Sequence, residues 1–341
     1  MKRVVGILFV LLLLAFPTFA QDQTIADIVV ASAEAEDAEF TTLLAAVSAA
    51  DASILEALAD PEAELTVFAP TDAAFAALVE ALGEEAFNEI LTEEDTPRLN
   101  EILLYHVLPG IVPSADVVAG LEGAEADDMG AVSFPVVTLS GQSFDVAGSL
   151  AEEGSVDLEA GITVAEANLV LDMIDIEASN GVVHVIDAVI VPELRTIADI
   201  VVESTEADSP EFTTLLTAVG AADPAVLELL SDPAADITVF APTDAAFADV
   251  EGLDDIVADT ALLTTILQYH VFAGSVFSFQ LGDLVDDMGD AVVEMANGSN
   301  ATITVDDMGV TINDANIIAV DIEAINGVIH VIDGVIVPPT E

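Results

Sequence analysis

The chain has 341 residues, with 63 Asp or Glu against four Lys or Arg, and a formal net charge of −59 argues against nucleic acid and anionic lipid as partners. It has no cysteine, which excludes a disulfide framework and leaves each folded unit to its apolar core. A hydrophobic fraction of 53% supplies such a core, and the length suits about two domains.

At the start, Lys2 and Arg3 precede an apolar run from Val4 to Phe16, followed by Pro17, Thr18, Phe19 and Ala20. The run is too short for a membrane span, which needs about 20 helical residues. It predicts a signal peptide over residues 1–20, cleaved after Ala20, and hence a secreted, extracellular or cell-envelope location. No later stretch reads as a membrane helix, so no membrane insertion is expected after cleavage. Loss of Lys2 and Arg3 leaves Arg98 and Arg195 as the basic side chains and a net charge near −61. The acids are spread along the whole chain, which reads first as halophilic adaptation to a saline habitat; weak divalent-cation binding is the alternative.

Beyond the leader, TIADIVV at 24–30 and EFTTLL at 39–44 place apolar residues at helical spacing, with Phe40, Leu43, Leu44 and Val47 on one face. Leu65-Thr66-Val67-Phe68 reads as a strand ended by Pro70, and Thr71 or Asp72 as the cap of a helix through Phe75. Residues 132–139 read as a further strand. Asn180-Gly181 marks a tight turn, and the β-branched run 182–191 a strand stopped by Pro192.

The same series is then written again. TIADIVV, EFTTLL and TVFAPTDAAF recur at Thr196, Glu211 and Thr238, each 172 residues on. Tyr105-His106 recurs as Tyr269-His270, and NGVVHVIDAVIVP at Asn180 as NGVIHVIDGVIVP at Asn326. Residues 302–312 read as strand in the second copy. Order is kept while spacing shrinks, so the first copy carries insertions before Tyr105 and before Asn180. The expected organisation is one domain at 24–192, a linker at 193–195 and a second domain at 196–338. A linker this short favours a fixed angle between the domains.

These boxes, with the Tyr-His between them, resemble the signature of the fasciclin-domain family over nearly all of both copies. The resemblance implies an α+β fold, each domain a wedge-shaped β-sandwich with several packed helices, two in tandem. It also implies an adhesion protein binding cell-surface or matrix polysaccharide or protein, homophilic association included, without catalysis or cofactors. In animal relatives an Asp-Ile pair and the Tyr-His region are linked to integrin binding. The matching positions are Tyr105, His106, Asp175, Ile176, Tyr269, His270, Asp321 and Ile322, and integrin itself does not carry over with them.

Read from the residues alone, His106, His184, His270 and His330 are structural, hydrogen-bonded groups, because no two in a copy have zinc-ligand spacing and no thiol completes a set. Asp-Asp-Met-Gly at Asp127, Asp286 and Asp306 reads as a turn, since none continues as a calcium loop. Neither a G-x-S-x-G elbow nor a phosphate-cradling loop is present. A second function class stays open, an envelope protein binding ions or small molecules in a crevice between helices and sheet.

Overall fold

The structure is a computed structural model describing residues 23–35, 38–90, 96–127, 130–150, 155–156, 161–207, 209–286, 289–306 and 309–339. The predicted leader at 1–20 and the central residues of each Asp-Asp-Met-Gly repeat lie outside them.

Helices open each copy. In the first, α1 (Ile25–Ala33), α2 (Thr41–Ala49) and α3 (Ala52–Ala59) precede strand β1 (Leu65–Pro70), then α4 (Asp72–Leu82), α5 (Glu84–Ile90) and α6 (Thr96–Tyr105). Strand β2 (Val107–Pro109), α7 (Ser114–Gly123), β3 (Ala131–Val137), β4 (Ser143–Ser149), β5 (Thr163–Val164) and β6 (Ala167–Asn168) follow. The copy closes with β7 (Ile176–Ala178) and β8 (Gly181–Ile186). The second copy repeats the plan through α8 (Ile197–Glu206), α9 (Thr213–Ala221), α10 (Pro224–Ser231), β9 (Ile237–Pro242), α11 (Asp244–Ala248), α12 (Leu253–Ala258) and α13 (Thr260–Gln268). It ends with β10 (Val271–Ala273), α14 (Leu281–Leu284), β11 (Asp290–Glu294), β12 (Asn300–Asp306), β13 (Gly309–Ile312), β14 (Ala315–Ala324) and β15 (Gly327–Ile332).

The TVFAPTDAAF box builds the join between strand and helix. Thr71 caps α4 by accepting from the Ala74 amide, and the Asp72 carboxylate accepts from the Thr41 hydroxyl and the Thr41 and Thr42 amides at the start of α2. Asp244 does the same for Thr213 and Thr214. Thr24 and Thr196 form capping boxes with Asp27 and Asp199.

The second box supplies the central strand. Strand β8 runs parallel to β1 in a sheet of order β2-β1-β8-β7, and β15 pairs with β9 in the same way. This sheet divides two cores. Val67, Val183 and Val185 face the helices with Phe40, Val47 and Leu103; Phe68 and Ile186 face Tyr105, Phe144, Val146 and Val164 of the other layer. The remaining strands of copy one form a separate sheet, β3-β4-β5-β6, whereas in copy two all the strands join as β10-β9-β15-β14-β13-β12-β11. The sequence explains the difference: four residues separate Asn316 from Asp321, so β14 runs unbroken, while six separate Asn168 from Asp175 and a 3-10 turn at Leu171–Met173 interrupts the strand.

Two expectations need adjustment, and a third gains detail. The strand predicted over 182–191 stops at Ile186, because Asp187 turns out of the sheet to accept from the amide and side chain of Asn168. The strand reading of residues 302–312 resolves into two short strands, β12 and β13. In the Asn-Gly motif the hairpin loop is Ser179-Asn180, and Gly181 already lies in β8, paired with Ala178.

Candidate functional site

Tyr105 and His106 end α6 and face inward, 7% and 4% exposed. Apolar partners drive this. The Tyr105 ring packs edge-on against Phe144 at 5.4 Å, and its hydroxyl donates to the Ser143 carbonyl at 2.8 Å. Burial, with Glu323 and Asp145 nearby, pushes that phenol above its ordinary range. Tyr269 donates to the Asn300 carbonyl at 2.7 Å and accepts from Asn313.

Every histidine has both ring nitrogens engaged. His106 Nδ1 donates to the Ile102 carbonyl at 2.7 Å, and its Nε2 accepts from the Ile190 amide at 3.2 Å. His270 repeats this with Ile266 and Ile336. Complete burial lowers both imidazoles to about 4, against the small opposing effect of the carbonyl partner. His184 and His330 form the opposite tautomer: Nε2 donates to the Val112 or Val276 carbonyl, and Nδ1 accepts from the Asp175 or Asp321 amide. Burial lowers both.

The Asp-Ile pairs stand nearer the surface. Asp175 is exposed, while Ile176, Asp321 and Ile322 are half-buried. Asp175 and Asp321 take positive φ, 54° and 58°. In that conformation each carboxylate reaches a serine, accepting from the amide and hydroxyl of Ser114 or Ser278. The Tyr-His and Asp-Ile positions therefore lie in different layers: Tyr105 belongs to the core between the sheets, and Ile176 packs against the helical core. Ile318 and Val320, 56% and 42% exposed, add apolar surface beside Asp321.

Between the two copies is a polar contact for which the motifs gave no signal. Gln142, 3% exposed, donates to the Glu101 carboxylate and the Glu193 carbonyl, and accepts from the Glu193 amide. Arg195 pairs with Glu193 and Glu203, and its carbonyl accepts from the Ile325 amide. Glu323 accepts from the Ser143 hydroxyl at 2.6 Å and amide at 3.1 Å. Burial raises Glu101 to about 7 in spite of its hydrogen bonds from Gln142 and Ser140; burial also raises Glu323, with Asp321 and Asp145 adding to the effect. Beside these groups lies a crevice of about 340 Å³, lined by Glu101, Ser140 and Gln142 from one copy and Asp236, Ser275 and Asn326 from the other. Its one sign of charge suits neutral or cationic ligands. Among the described residues no group of three or more His, Asp or Glu is arranged to hold a metal ion.

Comparison with known proteins gives a consistent picture. The family model described as Fasciclin domain matches residues 38–192 and 210–338. Immunogenic protein MPB70 of Mycobacterium bovis is 41% identical over 70 residues, which are 20% of this chain and 36% of that protein. Protein sll1483 of Synechocystis is 34% identical over 105 residues, 31% of this chain and 44% of that protein. The chain thus spans less than half the length of these curated relatives. The structure of a FAS1 domain pair from the insect cell adhesion molecule fasciclin I aligns over 90% of this chain and 98% of that one, at 18% identity and a TM-score of 0.37.

Proposed function

The chain belongs to the fasciclin-domain family, and from that membership we propose that it is an exported adhesion protein whose two modules bind cell-surface or matrix polysaccharide or protein without catalysis. The observation that carries this reading is the family domain matched twice, with the polar junction of Gln142, Glu193, Ser143 and Glu323 joining the copies. Two sites held in one geometry engage a polymer or a neighbouring cell at high effective concentration. Export rests on the leader sequence. No helix among the described residues is long and apolar enough to cross a membrane.

The non-catalytic reading is supported by the histidines, whose ring nitrogens are all committed to backbone groups. For the contact surface we favour Asp175, Ile176, Asp321 and Ile322 over Tyr105, His106, Tyr269 and His270, because the latter four are buried. Glycan-array and cell-aggregation assays in molar salt test the proposal. Binding to a polysaccharide or cell surface is expected; absence of binding to every glycan, cell and matrix protein offered would overturn it. The crevice of about 340 Å³ favours a second reading, binding of a small polar or cationic ligand, which calorimetry with Ca²⁺ and neutral saccharides separates from the first.

A further inference from the structure

The two walls of the crevice between the copies carry the same chemistry. On the first, Glu101 of α6 accepts from Gln142 at 3.0 Å and from Ser140. On the second, Asp236 accepts from the Ser275 hydroxyl at 2.6 Å. Each wall thus offers a carboxylate beside a serine. Both walls are fixed, because Gln142 is tied in both directions to the backbone of Glu193 and the Asp236 carbonyl accepts from the Gly274 amide. The repeat shows that these pairs belong to the junction. The copies align through Tyr105 and Tyr269, through the Ser143 and Asn300 carbonyls that accept from them, and through Gly110 and Gly274, whose amides donate to Glu64 and Asp236. On that alignment Thr265 and Asn297 stand where the first copy has Glu101 and Ser140, and Glu64 and Ile111 stand where the second has Asp236 and Ser275. At these outward positions the carboxylate and the serine no longer occur together.

We propose, on the basis of the small-ligand reading of this crevice, that it binds a linear diammonium cation, an alkane diamine with one ammonium on Glu101 and Ser140 and the other on Asp236 and Ser275. An ammonium has three donors and no acceptor, and a carboxylate with a neighbouring hydroxyl supplies the acceptors it needs. An ionised carboxylate has about four acceptor positions, so the bonds already made to Glu101 and Asp236 leave room for a ligand. Among the described residues that line the cavity none is basic, so nothing within it neutralises either carboxylate. Burial raises Glu101 to about 7, and a bound cation offsets that cost. Other ligand classes fit less well. The volume of about 340 Å³ is that of a small organic molecule. Ca²⁺ takes about six to eight oxygen ligands, and no group of three acidic or histidine side chains among the described residues is arranged to hold it. Quaternary ammonium ions are held by aromatic rings, and none of the described lining residues is aromatic. A neutral saccharide leaves both carboxylates uncompensated.

Titration calorimetry of the full chain with putrescine in molar NaCl provides the test, since screening over about 3 Å suppresses diffuse attraction of amines to the acidic surface and leaves direct contacts. A single saturable site is expected. Glu101→Gln and Asp236→Asn should each weaken it by about tenfold or more, and butylamine, with one ammonium, should bind the wild type about as weakly as putrescine binds either variant. Both substitutions keep the acceptor that Gln142 or Ser275 uses, so the fold is retained. A matched loss of charge outside the crevice, Glu228→Gln on the exposed face of α10, should change nothing. Putrescine binding that is indifferent to both crevice substitutions, or an equal affinity for butylamine, overturns the assignment. Saturable binding of glucose or Ca²⁺ in place of putrescine would sink this inference and leave the small-ligand reading standing; no saturable binding of any of the three removes both.

Discussion

Asp72 and Glu39 cap each other's helices: the Asp72 amide, in the first turn of α4, donates to Glu39 at 2.7 Å, while the Asp72 carboxylate takes the first amides of α2. Burial alone would raise this carboxyl, but the bonds from Thr41 and Thr42 outweigh it and hold Asp72 below its ordinary value. Glu211 and Asp244 repeat the arrangement. Asp72→Ala is expected to cost about 1–2 kcal/mol, the usual worth of a helix cap. Urea denaturation measures it, and Asp244→Ala should cost a similar amount in the second module. A loss below a few tenths of a kcal/mol at both positions would show that water replaces the cap.

A side chain at Gly181 has nowhere to go. A Cβ there would lie 2.0 Å from the Leu65 carbonyl oxygen, and one at Gly327 1.8 Å from that of Ile237. Both contacts are with backbone of the central parallel pair, which moves only if the sheet register breaks. Gly181→Ala should therefore destabilise by more than about 4 kcal/mol, in the range reserved for core disruption. Calorimetry should show the first module melting early while the second keeps its transition. Unchanged melting of both modules would contradict this account.

How much of this was legible in the sequence follows from the range of each interaction. The helices and β1 were readable because period and caps are local, and the duplication of TVFAPTDAAF and NGVVHVIDAVIVP made the two-module plan plain. Where a strand ends was not, because Asp187 is drawn out of β8 by Asn168, a partner 19 residues away. The separate sheet of the first copy hinges on two additional residues between Asn168 and Asp175, which no periodicity reveals. His106 was readable as a structural group from the residues alone, whereas the family resemblance set Tyr105 and His106 among the binding positions; Phe144 and Ile190 beside them place both in the interior. The junction was hidden more completely. Ser143 and Glu323 are 180 residues apart, and nothing local distinguishes Glu323 from its counterpart Glu177.

Acid should weaken the fold through the tyrosine-linked histidines. His106 and His270 are held neutral by burial, near 4 against an ordinary 6.5, so the unfolded chain binds protons first as pH falls. The stability they contribute is complete above about 6.5 and is lost as pH falls from there through about 4, on the order of 3 kcal/mol for each site. Imidazole resonances in NMR titration offer the direct check: neither should titrate near 6.5 in the folded protein. A normal midpoint for either would mean that water reaches its ring.

Glu101 works in the opposite direction. Burial raises its carboxyl to about 7 from an ordinary 4.5, so the folded state holds its proton more tightly than the unfolded one. The contribution is complete below about 4.5 and is lost as pH rises through about 7. Glu101→Gln keeps an acceptor for Gln142 and removes the charge. Its melting temperature should exceed that of the wild type above about pH 7, by a few degrees, with the gap closing as pH falls toward about 4.5. Parallel curves for the two proteins across that window would place the ionised carboxylate comfortably at the junction.

Salt dependence separates the two explanations of the acidity. With a net charge of −59 on 341 residues, carboxylates repel one another throughout the folded surface, and compaction brings them closer than they are in the unfolded chain. Screening acts over about 10 Å at 0.1 M salt and about 3 Å at 1 M, so the benefit of added salt should continue well past physiological strength. A rise in melting temperature on the order of 10 °C from low to molar NaCl is expected, equal to a few kcal/mol for domains of this size. If screening is the cause, NaCl and CaCl₂ at matched ionic strength should stabilise equally, since screening depends on ionic strength rather than on the identity of the cation. If bound cations are the cause, Ca²⁺ should stabilise at concentrations far below those needed to screen, by mass action on the folded state. The described residues contain no cluster of three or more acidic or histidine side chains built to hold a metal, and this favours the first outcome. A flat response to both salts would remove electrostatic strain from the account of why this chain is so acidic.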